Sequence, residues 1–320
     1  ITSFVGGYNA FNAAVTSLTK FDASSGVAGA LQGDFTARSI VGQTRATLGA
    51  AALGFNGALS RLAEIGITTT NTGDLKVDDT KLDAALKSSI DDVAGVLTRF
   101  ADVPAESGMS NVTFTDAVER GTYAVAITSL ATSGTIAATV ASAGFPKTIN
   151  SSNNDFQLTV DGTASGTITL TSQAYANLGV LATEMQTKIN ADATLRAAGK
   201  SVTVSVSGDD LEIRSNSVGS TSAVLITSSG GDSTTTTLGL DSPTTTNGTD
   251  LVGTIGGVAG VAEGNVLTAA TSSNAAGITV EVSRTTGGNI TISAGVVDQL
   301  DTLLATFLAT DSAIDTRINR

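Results

Sequence analysis

The chain has 320 residues, with 17 Lys+Arg against 29 Asp+Glu, a formal charge of −12, and no His, Cys or Trp. Those zeros exclude a Ser-His-Asp triad, a thiol nucleophile, a histidine proton shuttle, a zinc site of the usual nitrogen and sulfur ligands, and any disulfide. The acidic balance and the lack of a basic run argue against contact with a nucleic-acid backbone.

Hydrophobic residues make up 41% of the chain but aromatics only 4%, so a core must be built from Ala, Val, Leu and Ile. Charged residues are 14%, well under the roughly 25% of ordinary domains, so Thr, Ser, Asn and Gly must supply the polar surface. The length predicts two or three domains. No segment approaches ~20 uninterrupted apolar residues, so no membrane span is expected. No basic n-region or cleavage site precedes Ile1, so no signal peptide is expected. A start on Ile rather than Met reads as a fragment of a longer protein.

Residues 4–18 predict an amphipathic helix. Phe4, Tyr8, Phe11, Val15 and Leu18 fall at alternating gaps of four and three, the a/d pattern of a coiled-coil seam. Residues 22–33 read as a loop. Asp34 then caps a second helix, which carries Ile40, Val41, Thr44, Leu48 and Ala51 to about residue 52. Residues 58–65 predict a short helix stopped by Gly66. Residues 67–78 predict a hairpin turning at Asn71-Thr72-Gly73-Asp74. Asp78 or Asp79 caps a third long helix over 79–100, with the stripe Leu82, Leu86, Ile90, Val93, Leu97 and Phe100.

From about 111 to 293 the period becomes two, in short Thr/Val-rich strands broken by Gly, Asn, Ser and Asp. One helix interrupts them over 176–190, with Leu178, Leu181, Met185 and Ile189 on one face. The Thr- and Gly-rich stretch 227–250 reads as a loop or linker. The end returns to helix over 296–318. There Val297, Leu300, Leu304, Phe307, Ile314 and Ile318 repeat at heptad spacing, with Asp311 as a polar break. The predicted class is α+β: a discontinuous, coiled-coil-like helical bundle built from both ends of the chain (1–110 and 294–320), carrying an inserted β-rich domain (111–252). A β-hairpin segment (253–293) joins the insertion to the last helix.

No motif carries chemistry well. Ser17-Leu18-Thr19-Lys20 matches S-x-x-K, but its companions S-D-N and K-T-G are missing, and a solvated helix end explains it. Ala198-Gly199-Lys200-Ser201 resembles the end of a phosphate loop. The required earlier glycine is Thr194, and the order is helix, loop, strand rather than the reverse. Gly253, Gly256, Gly257 and Gly260 lack a surrounding β-α-β unit and read as hairpin turns. Asn71, Gly73, Asp74, Asp78 and Asp79 lack calcium-loop spacing and a closing Glu, and read as a turn followed by a cap. Asp91-Asp92 and Asp209-Asp210 read as an exposed helix face and a strand turn. No catalytic, cofactor-binding or metal residue is therefore assigned, and no cofactor is expected. The heptad stripes remain, mostly as intramolecular core and in part as a partner-helix interface.

Several runs resemble one family. Tyr8-Asn9-Ala10-Phe11-Asn12, Gly29-Ala30-Leu31-Gln32-Gly33-Asp34 and Arg38-Ser39-Ile40 are similar to the C-terminal region of flagellar hook-associated protein 2, the filament-capping (FliD) family. So are Leu62-Ala63-Glu64-Ile65-Gly66-Ile67, Gly73-Asp74-Leu75 with Val77-Asp78, and Lys81-Leu82-Asp83-Ala84-Ala85-Leu86. Leu251–Ser293 followed by Gly295-Val296-Val297-Asp298-Gln299-Leu300 resembles the stretch before that family's last long helix. In the middle, residues 156–162, 181–190 and 202–215 are similar to the flagellin IN module of flagellins, hook-associated proteins and cap proteins.

The resemblance implies a structural, non-enzymatic subunit of the bacterial filament cap. It would sit outside the cell at the flagellum tip, reached through the flagellar type III pathway. Export in an unfolded state suits a chain without Cys. The implied partners are other copies of itself in a ring-like homo-oligomer, flagellin and other hook-associated proteins. The alternative is an adhesion module on the flagellar tip that binds host glycans or mucin, but the insertion offers few aromatic rings to stack on sugars.

Overall fold

A computed structural model describes residues 1–22, 26–55, 57–138, 145–207, 210–228 and 233–310. Its helices, in chain order, are α1 (Thr2–Thr19), α2 (Phe35–Gly49), α3 (Asp79–Ser88), α4 (Ile90–Leu97), α5 (Leu178–Ala191), α6 (Ala193–Ala197), α7 (Ser233–Leu238) and α8 (Val296–Leu308). Strands fill much of the rest, so the chain is mixed helix and strand. Among the described residues no helix is long and apolar enough to cross a membrane. The chain divides into two compact units. The first holds Ile1–Val103, Glu119–Tyr123 and Asn289–Arg320; the second holds Pro104–Val118 and Ala124–Gly288.

In the first unit, local signals set the helix starts. The Asp34 carboxylate accepts the Ala37 N–H at 2.9 Å, and Asp78 accepts that of Lys81 at 3.0 Å, so each satisfies an orphan donor of its helix. Strands Ile67–Thr69 and Leu75–Val77 pair antiparallel around the Asn71–Asp74 turn, as the spacing predicts. The expected helix over 58–65 is absent. A run of turns takes its place, held by Glu64, whose carboxylate accepts N–H from Ser60 at 2.6 Å and from Arg61 at 3.0 Å. The Ser60 bond foremost keeps the Glu64 carboxyl below its ordinary range, against the opposing effect of burial.

The expected single helix over 79–100 is two helices. Ser89 is extended, at φ −157° and ψ 106°. It ends α3, and its hydroxyl accepts the Asp92 N–H at 3.1 Å to begin α4. The break turns Leu86 and Ile90 out of the predicted stripe and into solvent.

Residues from both ends of the chain meet in this unit. Leu53 and Ala294 exchange backbone hydrogen bonds of 2.8 Å each way, Ser293 N–H reaches Phe100 O at 2.9 Å, and Gly295 N–H reaches Thr98 O at 3.0 Å. A Cβ on Gly295 would overlap the backbone of Leu97 and Thr98, so only glycine allows this approach. Arg99 and Asp298 add an ion pair at 3.8 Å. The core beneath joins Tyr8, Leu48, Leu62, Ile65, Ile67, Leu75, Val93, Val96, Val296 and Leu300.

The second unit carries the period-two strands. One four-stranded sheet runs, in spatial order, Val202–Ser207, Asp210–Ser215, Thr135–Ala137, Thr244–Thr246, antiparallel throughout. α5 covers it, capped by Asn177, with Leu178, Leu181, Met185 and Ile189 buried as their spacing predicts. The stretch 227–250 is no plain linker. It contains α7 and the edge strand Thr244–Thr246, and it sends Leu238 and Leu240 into the core at 1% exposure. A second four-stranded sheet has the order Val261–Glu263, Val266–Thr268, Thr279–Val282, Met109–Thr113. The glycines at 253–260 form a hairpin between Val252–Ile255 and Val258–Ala259. Gly256 at φ +64° and Gly257 at φ +80° make its two-residue turn.

Candidate functional site

The seam residues of the first unit are the candidate site, and they divide by helix. On α1, Tyr8 is buried, Phe4 and Phe11 pack half-buried on the core, Val15 is half-buried and Leu18 is exposed. On α3 and α4, Val93 is buried and Leu82 and Leu97 are half-buried, while Leu86 faces solvent. Phe100 lies beyond α4, edge-on to Phe55 with ring centroids 5.8 Å apart. On α8, Leu300 is buried, Val297 and Phe307 are half-buried, and Leu304 is 36% exposed. Ile314 and Ile318 lie outside the described residues. The core face of α8 is Val296, Leu300 and Leu303, so the predicted stripe from Val297 starts one residue late. The Gly295–Thr98 bond fixes where the helix begins and hence which face turns inward.

Part of the two predicted seams comes together. Phe4, Tyr8 and Phe11 from α1 and Leu300 and Leu304 from α8 wall a groove of about 300 Å³. Thr44 of α2 also lines it, 2% exposed, and its Oγ1 has no hydrogen-bond partner among the described residues. An unsatisfied buried hydroxyl costs about 1–3 kcal/mol, which a neighbour able to hydrogen-bond would recover.

Polar residues on α1 do a second job. Asn9 brackets the Leu75 backbone: its Nδ2 donates to Leu75 O at 2.9 Å, and its Oδ1 accepts Leu75 N–H at 2.7 Å. Buried Asn12 donates to Asp74 Oδ1 at 2.8 Å and to Thr72 O at 3.2 Å, and accepts from Arg45 Nη2 at 3.0 Å. The guanidinium of Arg45 lies where a Cβ on Gly73 would stand. Two sequence motifs more than sixty residues apart, Tyr8–Asn12 and Gly73–Leu75, therefore touch. Pattern reading placed both but missed their contact; it passed over Arg45 and quoted Arg38 only within the run Arg38-Ser39-Ile40. Those two line a further groove of about 320 Å³ between α1 and α2. Among the described residues no group of three or more carboxylates is placed to hold a metal ion.

The sequence model for the C-terminus of flagellar hook-associated protein 2 matches residues 1–191, more than half of the chain. The chain belongs to that family. Within it, the B-type flagellar hook-associated protein 2 of Pseudomonas aeruginosa is 34% identical over 121 residues, covering 37% of this chain and 25% of the relative. The match thus spans about a quarter of that relative's length. Among solved structures, FliD (HAP2) of Pseudomonas aeruginosa aligns with 18% identity and a TM-score of 0.42, over 66% of this chain and 97% of that one. The D1-D2-D3 domains of the flagellar cap protein FliD of Escherichia coli align with 16% identity and a TM-score of 0.39, over 84% of this chain and 66% of that one.

Proposed function

We propose that this chain is part of a structural subunit of the bacterial flagellar filament cap, which promotes flagellin assembly at the filament tip. The observation that carries the reading is the family match over residues 1–191. In this reading the protein acts outside the cell, after unfolded export through the flagellar type III pathway, and it works as a ring-like homo-oligomer beside flagellin and other hook-associated proteins. The mechanism is steric and conformational, with no chemical step. The first unit supplies a leg-like, coiled-coil-like bundle, whose seam residues on α1 and α8 form the assembly surface. The insertion, 111–252, serves as a decoration.

Nothing favours the adhesion alternative. In the insertion Phe156 and Tyr175 are both 1% exposed and Tyr123 is 5% exposed, so these rings cannot stack on a sugar, and Phe145 packs half-buried against the core.

The test is deletion of the coding segment in the bacterium that carries it. The expected result is hooks without filaments, and flagellin shed into the medium. Filaments of normal length with no shed flagellin would overturn the proposal.

A further inference from the structure

The groove of about 320 Å³ between α1 and α2 is lined from α1 by Asn12, Val15, Thr16 and Thr19. From α2 it is lined by Arg38, Val41, Gly42 and Arg45, with Ala37 at one end. Within each set of four the gaps are three, one and three, so each wall is a single helix face two turns long. The α1 residues of the apolar groove lie about 100° around that helix from these, so the two grooves are separate surfaces. The apolar lining, Val15, Ala37 and Val41, is half-buried, and both arginines are exposed.

Two features of this groove have no use within the described chain. The first is Gly42, in the middle of α2, where glycine weakens a helix relative to alanine. A Cβ there would meet nothing within 4 Å, so no described neighbour requires the glycine. A bare backbone does let another chain approach closely. The second is the arginine pair, seven residues apart and roughly 10 Å along the helix. Among the described residues neither belongs to an ion pair, in a chain whose net charge is −12. Of the five N–H donors of each guanidinium, one is used: Arg38 bonds Gly33 O at 3.1 Å, and Arg45 bonds Asn12 Oδ1 at 3.0 Å. The Asp74 carboxylate accepts from Asn12 and Thr72 instead. A guanidinium with free donors is shaped to receive a carboxylate.

The spacing selects the shape of the partner. On a helix, residues seven apart share a face and lie roughly 10 Å apart. On a strand the same distance is about three residues, which point to opposite faces. We infer that the α1–α2 groove is a docking site for one α-helix of a partner protein. That helix lays small apolar residues against Val15, Val41 and Gly42, and sets two carboxylates seven residues apart against Arg38 and Arg45. The inference deepens the cap proposal by adding a surface to the α1–α8 seam. It rests on that proposal only in taking the first unit to meet another protein.

The test is fluorescence anisotropy with the full chain and labelled, helix-stabilised synthetic peptides. The probe carries Ala and Val on one face, flanked by two Glu seven apart. One control has Lys in place of both Glu. A second sets the two Glu four apart, roughly 6 Å, so that only one arginine is reached. The probe should bind saturably, the Lys control at least about tenfold more weakly and the shortened control about threefold more weakly. Arg38→Glu, at an exposed position, should cost about threefold for the probe. Gly42→Leu separates docking from folding. Its side chain enters open space on a helix that favours it, so the melting temperature should hold or rise while probe binding falls at least about tenfold. No saturable binding at millimolar peptide, equal binding of the probe and either control, or unchanged affinity in both variants would overturn the docking site. Normal filaments in the deletion strain would overturn the cap reading alone.

Discussion

The inserted module and the helical first unit use similar apolar residues to different ends. In the module, α5 closes over its sheet, and Ile136, Leu158, Met185, Ile189, Leu195, Leu211 and Ile213 are fully buried. In the first unit, five helices, α1, α2, α3, α4 and α8, pack around a smaller core and leave Leu304 at 36% exposure on the wall of an open groove. The core of the module is therefore closed by its own chain, while Val180, Val206 and Leu225 stay 42–46% exposed on its surface. The first unit keeps apolar surface in water at a cost of roughly 25 cal/mol per Å², a cost that the proposed assembly surface would recover.

The largest expected effect comes from breaking the closed side. Met185 is 0% exposed at the centre of the module core. Met185→Ala removes those contacts and leaves a cavity, and should cost about 2–5 kcal/mol. Chemical denaturation followed by far-ultraviolet circular dichroism measures it. A loss under about 1 kcal/mol would mean the module is as loosely packed as the first unit.

What could be read from residues alone follows the same division. The caps at Asp34, Asp78 and Asn177 depend on partners three residues away, so pattern reading reached the starts of α2, α3 and α5. The break at Ser89 was equally local. Ser89 with Asp92 is a cap signature, but the continuous stripe from Leu82 to Phe100 concealed it. Residues 238 and 240 were missed for another reason. A Thr-rich run carries little apolar signal, and Thr244–Thr246 becomes a strand only because Thr135–Ala137 is there to pair with it. The grooves beside α1 were out of reach, since their walls come from residues 3–19, 37–45 and 300–304. Periodicity identified those helices without stating which faces would meet.

A middle-sized effect sharpens the picture of the module. Asp161 sits at φ +48° in the turn between Leu158–Val160 and Thr163–Ala164, with its side chain 4% exposed. Burial opposes its ionisation. Hydrogen bonds from Ser217, the Ala223 N–H and Ser215, with Lys200 at 3.6 Å, outweigh burial and hold the carboxyl below its ordinary 3.8. Asn tolerates the same left-handed backbone, so Asp161→Asn removes the charge without strain. It should cost about 1.5–3 kcal/mol at pH 7, the range for hydrogen bonds to a charged group. A depressed folded pKa gives stability that is present above the unfolded value and lost as pH falls through the folded one. The gap in melting temperature between wild type and variant should therefore hold from pH 7 to about 4 and close below that. A gap that widened in acid would mean Asp161 is raised, not lowered.

The smallest effect on stability belongs to the open side, and it is the one that separates packing from assembly. Leu304 is 36% exposed on the groove wall, beside buried Leu300. If that wall were ordinary core, Leu304→Ala would cost a few kcal/mol, as in the module. If it is a surface waiting for a helix, truncation removes contacts that the lone chain does not yet make. The melting temperature should then move by no more than about 0.5 kcal/mol equivalent. The cost should instead appear in association. Truncating an anchor on a docking surface removes about 1–2 kcal/mol of binding, close to tenfold, because the anchor is desolvated only in the complex. Sedimentation of the chain with and without the substitution reads that difference directly. Equal loss in melting and association would place Leu304 in the core rather than on an assembly surface.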